Sequence, residues 1–193
     1  MKIEMNTKNN VVVWDVENFI TNEEAQEILR VAKNKFGEVT VLGEPVAEYR
    51  VAQGAWISDE ESAVVSSIKH KISNLVKLPK ENFEQFHVVR YDVGGQYKTH
   101  HDYFYLPRDE GAFSQGGQRV FSALFYLNDD FEGGETDFPK INYRVVPQKN
   151  KLLLWRNMDE NKKVIEDSLH AGLPVISGVK YIGIFWIREK KFF

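Results

Sequence analysis

The stretch Phe83-Glu84-Gln85-Phe86-His87-Val88-Val89-Arg90-Tyr91-Asp92-Val93-Gly94-Gly95-Gln96-Tyr97-Lys98-Thr99-His100-His101-Asp102-Tyr103-Phe104 holds two runs rich in aromatic and β-branched residues on either side of a Gly-Gly turn. Both runs, residues 83–91 and 97–104, read as strands. The pattern continues toward the C-terminus: residues 119–127, 144–146, 151–155, 172–176 and 181–188 are further short strands, separated by Gly116-Gly117, Gly133-Gly134, Pro147 and Gly178. Many short strands in series, with few helices among them, point to a β-sandwich or a jelly-roll-like barrel.

Upstream the texture differs. Val11-Val12-Val13-Trp14 reads as a short strand. Thr21 and Glu24 make a capping box, and Ala25, Ile28, Leu29 and Ala32 follow at helical spacing, so a helix is expected over residues 22–36, ended by Gly37. Ser58 with Glu61 repeats the signal ahead of a second amphipathic helix through Ala63, Val64, Ile68, Ile72, Leu75 and Val76, stopped by Pro79. The expected architecture is α+β, mainly β, with the helices first and packed on one face of a double-sheet core. No repeat or linker divides the chain, so residues 1–193 are expected to form one domain, with helical support in 15–80 and the β core in 83–190.

Composition narrows the function classes. The 25 basic and 28 acidic residues leave a net charge of −3, too little positive field to hold a polyanion, so nucleic acid is not the expected partner. Cysteine is absent, which excludes disulfides, thiolate metal sites and a cysteine nucleophile. No apolar run reaches signal-peptide or membrane-spanning length, so the expectation is a soluble cytoplasmic protein without membrane contact.

There are five histidines. His70 lies between two lysines on the second helix and is expected in solvent; His87 sits inside a strand and suits a core or cross-strand role. The remaining cluster is Tyr97-Lys98-Thr99-His100-His101-Asp102-Tyr103-Phe104. On a strand, residues two apart share a face, so His100 and Asp102 project together and His101 away. A third ligand would complete a two-histidine, one-carboxylate face that suits Fe(II) and leaves positions open for a bidentate cosubstrate and dioxygen. His170, at the mouth of another strand, is the best third ligand. The spacing alone is a weak signal, and a core in which Asp102 pairs with a nearby base stays open. Lys180 opens the apolar strand 181–187; it either reaches solvent or faces a carboxylate in the barrel, and Tyr91 and Thr136 offer hydroxyls to the same carboxylate.

At these residues the chain resembles the prolyl 4-hydroxylase family of Fe(II)- and 2-oxoglutarate-dependent dioxygenases. The likeness runs in order through Val88-Val89-Arg90-Tyr91, Gly94-Gly95-Gln96-Tyr97, His100-His101-Asp102-Tyr103-Phe104, Gly116-Gly117-Gln118-Arg119-Val120, Tyr126-Leu127-Asn128, Gly133-Gly134-Glu135-Thr136-Asp137-Phe138-Pro139, Ser168-Leu169-His170-Ala171-Gly172-Leu173-Pro174-Val175, Lys180 and Trp186-Ile187, about half the chain. The resemblance implies a double-stranded β-helix with iron on His100, Asp102 and His170. It also implies 2-oxoglutarate held by Lys180, Tyr91 and Thr136, dioxygen as cosubstrate and ascorbate as stimulator. It places Tyr97, Arg119, Trp186 and Glu84 near the substrate, a proline-containing peptide or protein, with residues 106–118 as a closing loop. Arg188 stands where many members carry histidine, and the extra domain and cysteines of the animal collagen enzymes are missing. Other readings are the same oxygenase on a free amino acid, a lysyl residue or a nucleobase, a catalytically inactive metal-binding module, and a zinc hydrolase. The slightly acidic charge and the lack of paired arginines after His170 disfavour a nucleobase. A hydrolase leaves Lys180, Tyr91 and Thr136 unexplained as a set.

Overall fold

The computed structural model describes residues 3–8, 11–39 and 50–193. In chain order the strands are β1 (Ile3–Lys8), β2 (Val11–Val16), β3 (Gly37–Glu38), β4 (Arg50–Val51), β5 (Gln53–Ile57), β6 (Phe86–Tyr91), β7 (Gln96–His100), β8 (Arg119–Tyr126), β9 (Glu132–Gly133), β10 (Thr136–Phe138), β11 (Tyr143–Val145), β12 (Leu152–Arg156), β13 (His170–Gly172), β14 (Val175–Ser177) and β15 (Lys180–Arg188). Among the described residues two helices, α1 (Asn22–Ala32) and α2 (Ala63–Val76), interrupt the series, and a short helix covers Glu110–Ser114.

A large antiparallel sheet runs β1-β2-β12-β8-β15-β6-β5-β3, and a smaller one runs β11-β10-β13-β7-β4. Register assigns the two faces of the large sheet. Paired residues share a face, so Ala55, Val88, Gly183 and Phe125 line up across β5, β6, β15 and β8. That face joins Ile28 of α1 and Ile68 and Ile72 of α2 in one apolar core. The alternate residues, among them Val89, Ile182, Tyr126, Leu153 and Trp155, form a second core with Phe138 and Val145 of the small sheet. The site lies in that second layer, between the sheets. Among the described residues no helix is long and apolar enough to cross a membrane.

The mainly-β double-sheet fold agrees with the expectation; several boundaries do not. Strands β1 and β2 precede the helices, and β3, β4 and β5 fall in the stretch read as helical support, so the order is not helices first. Helix α1 keeps its capping box, with Glu24 N–H donating to Thr21 Oγ1 at 3.1 Å, but ends at Ala32. Gly37 pairs with Gly54 in the sheet instead of capping the helix. Helix α2 starts later than read, because Ser62 is its N-cap; Ser58 and Glu61 close a turn through a 2.9 Å bond. Of the run 83–91, the continuous strand begins at Phe86; Phe83, just after a 3-10 turn over Lys80–Asn82, is extended and makes an isolated bridge to Ile187. The run 172–176 divides into β13 and β14 around Leu173 and Pro174. The run 97–104 ends as a strand at His100, which changes how Asp102 reaches the site.

Candidate functional site

Antiparallel pairing of β13 with β7 puts His170 directly opposite His100. Asp102 lies past the end of β7, so the alternation that suggested a shared face does not apply. The chain turns there, and hydrogen bonds fix the carboxylate. Ser122 Oγ donates to Asp102 Oδ2 at 2.6 Å, and Asn157 Nδ2 donates to Ser122 Oγ at 2.9 Å. The metal-facing atoms converge: His100 Nε2 is 3.6 Å from Asp102 Oδ1, and His170 Nε2 is 3.8 Å from Asp102 Oδ2.

The ring orientations favour ligation. His100 Nδ1 lies 2.7 Å from the Lys98 carbonyl and His170 Nδ1 lies 2.9 Å from the Ser168 carbonyl. A carbonyl only accepts, so each Nδ1 carries the proton and each Nε2 presents a lone pair, the usual outer support of a metal-binding histidine. Burial, then the neighbouring His100 charge, pushes His170 down to about 4, leaving it neutral at pH 7. Burial raises the Asp102 carboxyl, but the facing His100 and His170 rings outweigh it and hold the group below the usual carboxylate range. Among the described residues these three form the cluster able to hold a metal ion, with ligand atoms within 4.8 Å of one another. Two imidazoles with their Nε2 atoms turned inward and an ionised carboxylate fit a divalent cation that keeps open positions.

Lys180 is opposite Tyr91 in the β15–β6 register and is 3 % exposed. Its Nζ donates to the Gly134 carbonyl at 2.6 Å and stands 5.3 Å from the Tyr91 ring centroid. That carbonyl is delivered by the Gly133-Gly134 turn, in which both residues have positive φ, and a Cβ on Gly134 would come within 2.9 Å of the Lys180 chain. Among the described residues no carboxylate pairs with Lys180, and burial lowers its ammonium to about 7 against the weaker upward pull of Glu135. Thr136 is buried nearby, its hydroxyl bonded to Tyr126 at 2.6 Å. The pocket between Lys180 and the three ligands is lined also by Arg50, Tyr97, Trp155 and Trp186.

A cavity of about 1050 Å³ opens from His100 and Asp102 toward the surface. Tyr97 stacks on His100 with ring centroids 3.6 Å apart. Arg119 grips Glu84 with two bonds of 2.7 and 2.8 Å, and its guanidinium lies 4.0 Å from the Trp186 ring centroid. Arg188 adds a third contact to Glu84 at 3.1 Å and also donates to the Ala112 carbonyl of the short helix. Residues 106–118 therefore border the cavity and are tied to the C-terminal strand. His101 points away, to Tyr105 and the Glu166 carbonyl, and His70 is exposed.

All ten residues singled out in the sequence are thus placed around two connected spaces. Sequence reasoning missed Ser122, Asn157, Tyr126, Arg50 and Trp56, and gave His87 no place in the cavity. Ser122 carried a signal, a small hydroxyl residue set between Phe121 and Ala123 in the apolar middle of a strand; Asn157, just past a strand, carried none.

A family model described as the 2OG-Fe(II) oxygenase superfamily matches residues 86–188. Prolyl 4-hydroxylase 5 of Arabidopsis thaliana is 32 % identical over 94 % of the chain and 72 % of its own length. The prolyl 4-hydroxylase subunit alpha-1 of Gallus gallus is 34 % identical over 89 % of the chain, which spans 34 % of that longer protein. The 2OG complex of the viral collagen prolyl hydroxylase vCPH from Paramecium Bursaria Chlorella virus-1 superposes with a TM-score of 0.75 at 28 % identity, over 91 % of this chain and 95 % of that one.

Proposed function

The chain belongs to the 2OG-Fe(II) oxygenase superfamily and, within it, to the prolyl 4-hydroxylases, and on that premise we propose that it hydroxylates prolyl residues of a peptide or protein. The observation that supports this most is the convergence of His100, Asp102 and His170 beside a buried lysine that pairs with no carboxylate among the described residues. His100, Asp102 and His170 hold Fe(II). When bound, the metal supplies oxidation with dioxygen as 2-oxoglutarate is cleaved to succinate and carbon dioxide, and ascorbate keeps it in the ferrous state.

The protein's own residues bind, orient and exclude water. Lys180 pairs with the distal carboxylate of 2-oxoglutarate, and Tyr91 and Thr136 hydrogen-bond it. Ser122 and Asn157 fix the Asp102 carboxylate, so the ligand set is built before the metal arrives. Trp186 packs on the pyrrolidine ring. Tyr97 and the Arg119–Glu84 pair shape the entrance, and residues 106–118 close over the bound peptide, with Arg188 fastening them.

The test is incubation of proline-rich peptides with protein, iron, ascorbate and 2-oxoglutarate, followed by tandem mass spectrometry. One added oxygen on proline is expected. Oxygen found only on lysine, a free amino acid or a nucleobase would move the substrate assignment elsewhere.

A further inference from the structure

Among the described residues Lys180 Nζ has one hydrogen-bond acceptor, the Gly134 carbonyl at 2.6 Å. Its other neighbours are ring faces: Tyr91 at 5.3 Å and Tyr126 at 5.7 Å from the centroids. An ammonium has three protons to donate, so two are left without an acceptor. Losing one proton relieves the buried charge, which is why burial brings the group to about 7. The upward pull comes from Glu135; the phenols of Tyr91 and Tyr126 and the guanidinium of Arg50 are the other titratable groups around the same space. At pH 8 most molecules therefore hold Lys180 as a free amine, a nucleophile enclosed by the barrel.

The space beside that amine is small and mostly apolar. It measures about 40 Å³ and is walled by Leu124, Ile182, Ile184 and Trp155. About 10–15 Å³ admits one water, so there is room for a molecule of a few atoms. An uncharged molecule enters such walls without the desolvation cost that an ion meets. Carbon dioxide is uncharged, linear and three atoms long, and cleavage of 2-oxoglutarate releases it among the metal ligands that border this space. The product of its reaction with an amine is an anion, and the space offers an anion partners. Arg50 borders it, buried and paired with no carboxylate among the described residues. Tyr91 and Thr136 border it too.

We propose that Lys180 is a carbon dioxide site, at which a reversible carbamate forms and excludes 2-oxoglutarate. The Nζ lone pair attacks the carbon, one C=O pair moves onto its oxygen, and the nitrogen releases one proton to solvent. Nothing is oxidised or reduced. The modification turns a cation into an anion at the point where the cosubstrate places its distal carboxylate, so the two occupants are mutually exclusive, and accumulated product gas slows the enzyme. The competition rests on the reading of Lys180 as the 2-oxoglutarate anchor; the carbamate itself does not.

The experiment exposes the metal-free protein at pH 8 to carbon-13-labelled carbon dioxide in equilibrium with bicarbonate. Carbon-13 NMR detects the carbamate, and trapping with a trialkyloxonium salt, digestion and mass spectrometry locate it. Label on Lys180 is expected, reduced by excess 2-oxoglutarate. Lys180→Met, its fold checked by circular dichroism, should keep only the background from surface amines. A spectrum unchanged in Lys180→Met, or trapped label on other amines and none on Lys180, overturns the site. In turnover assays, carbon dioxide at roughly ten times its own dissociation constant should raise KM for 2-oxoglutarate about tenfold by mass action, with kcat unchanged. An unchanged KM in a protein that carries the label overturns the competition. Failure of 2-oxoglutarate to bind in gas-free buffer overturns the anchor reading instead, and the label on Lys180 is read independently of it.

Discussion

At the scale of single residues, the site depends on groups held in one protonation state. Ser122 donates to Asp102 and accepts from Asn157, so Ser122→Ala removes the hydrogen bond that ties the carboxylate to the large sheet. Outer-shell losses of this kind typically weaken metal binding about 10- to 100-fold, and that is the expected result for Mn(II) titrated into Ser122→Ala by calorimetry. Lys180 gives a pH prediction. Its ammonium is lowered to about 7 by burial, and a bound carboxylate raises it again. Below pH 7 the lysine is already charged and 2-oxoglutarate affinity is flat. Above it, binding must take up a proton, so affinity falls about tenfold per pH unit, or about 1.36 kcal/mol. Calorimetry in buffers of different ionisation enthalpy should report close to one proton taken up at pH 8.5, and none in Lys180→Met. The residue types at these positions were legible in the sequence: His100, Asp102, His170 and Lys180 all meet. The reason given for the first pair was not correct, because the strand stops at His100 and Asp102 is brought in by a turn and by Ser122. A bond between residues 102 and 122 depends on which strands pair, and no local pattern encodes that.

At the scale of elements, register does the positioning. The pairing of β13 with β7 aligns His170 with His100, and that of β15 with β6 aligns Lys180 with Tyr91. Strand β15 runs between β8 and β6, and Gly183 at its middle lies under the Phe86 ring; a Cβ there would stand 2.2 Å from Phe86 Cζ. Gly183→Ala therefore overpacks the helix-side core and is expected to cost about 1–3 kcal/mol, read from urea unfolding. Unchanged stability would show that the ring moves aside freely. The latch on the short helix Glu110–Ser114 is a second element-scale device. Arg188→Met removes the donor to Ala112 and one of the two guanidinium partners of Glu84. Faster amide exchange across residues 106–118, with 2-oxoglutarate affinity unchanged, is the expected outcome. The two helices and the main strands after residue 83 were readable from period and turn residues, whereas β1, β3, β4 and β5 were not. Boundaries were not, where a tertiary pairing claimed a residue: Gly37 reads as a helix stop until Gly54 pairs with it. His87 reads as an ordinary strand residue and Trp56 as part of the helical support, because their stack is a contact between neighbouring strands, not along one.

At the scale of the whole molecule, the two apolar layers on either side of the large sheet are complete without the metal. Metal removal is thus expected to leave circular dichroism unchanged. Mn(II) with 2-oxoglutarate at about 100 times Kd should add about 2.7 kcal/mol of stability by mass action; loss of the fold on chelation would contradict this. The same layering separates support from chemistry: helices α1 and α2 cover one face, and the ligands and Lys180 occupy the other. The central claim is that His100, Asp102 and His170 together hold the iron to which 2-oxoglutarate, anchored by Lys180, is added. The most direct measurement is an anaerobic titration of Fe(II) and then 2-oxoglutarate into the native protein, Asp102→Ala and Lys180→Met, followed by visible charge-transfer absorption. The native protein should bind one iron and develop the band with one equivalent of 2-oxoglutarate. Lys180→Met should bind iron normally and need about a hundredfold more cosubstrate, a loss of roughly 2.7 kcal/mol, and Asp102→Ala should show no band. A native-like titration in Asp102→Ala would contradict the assignment.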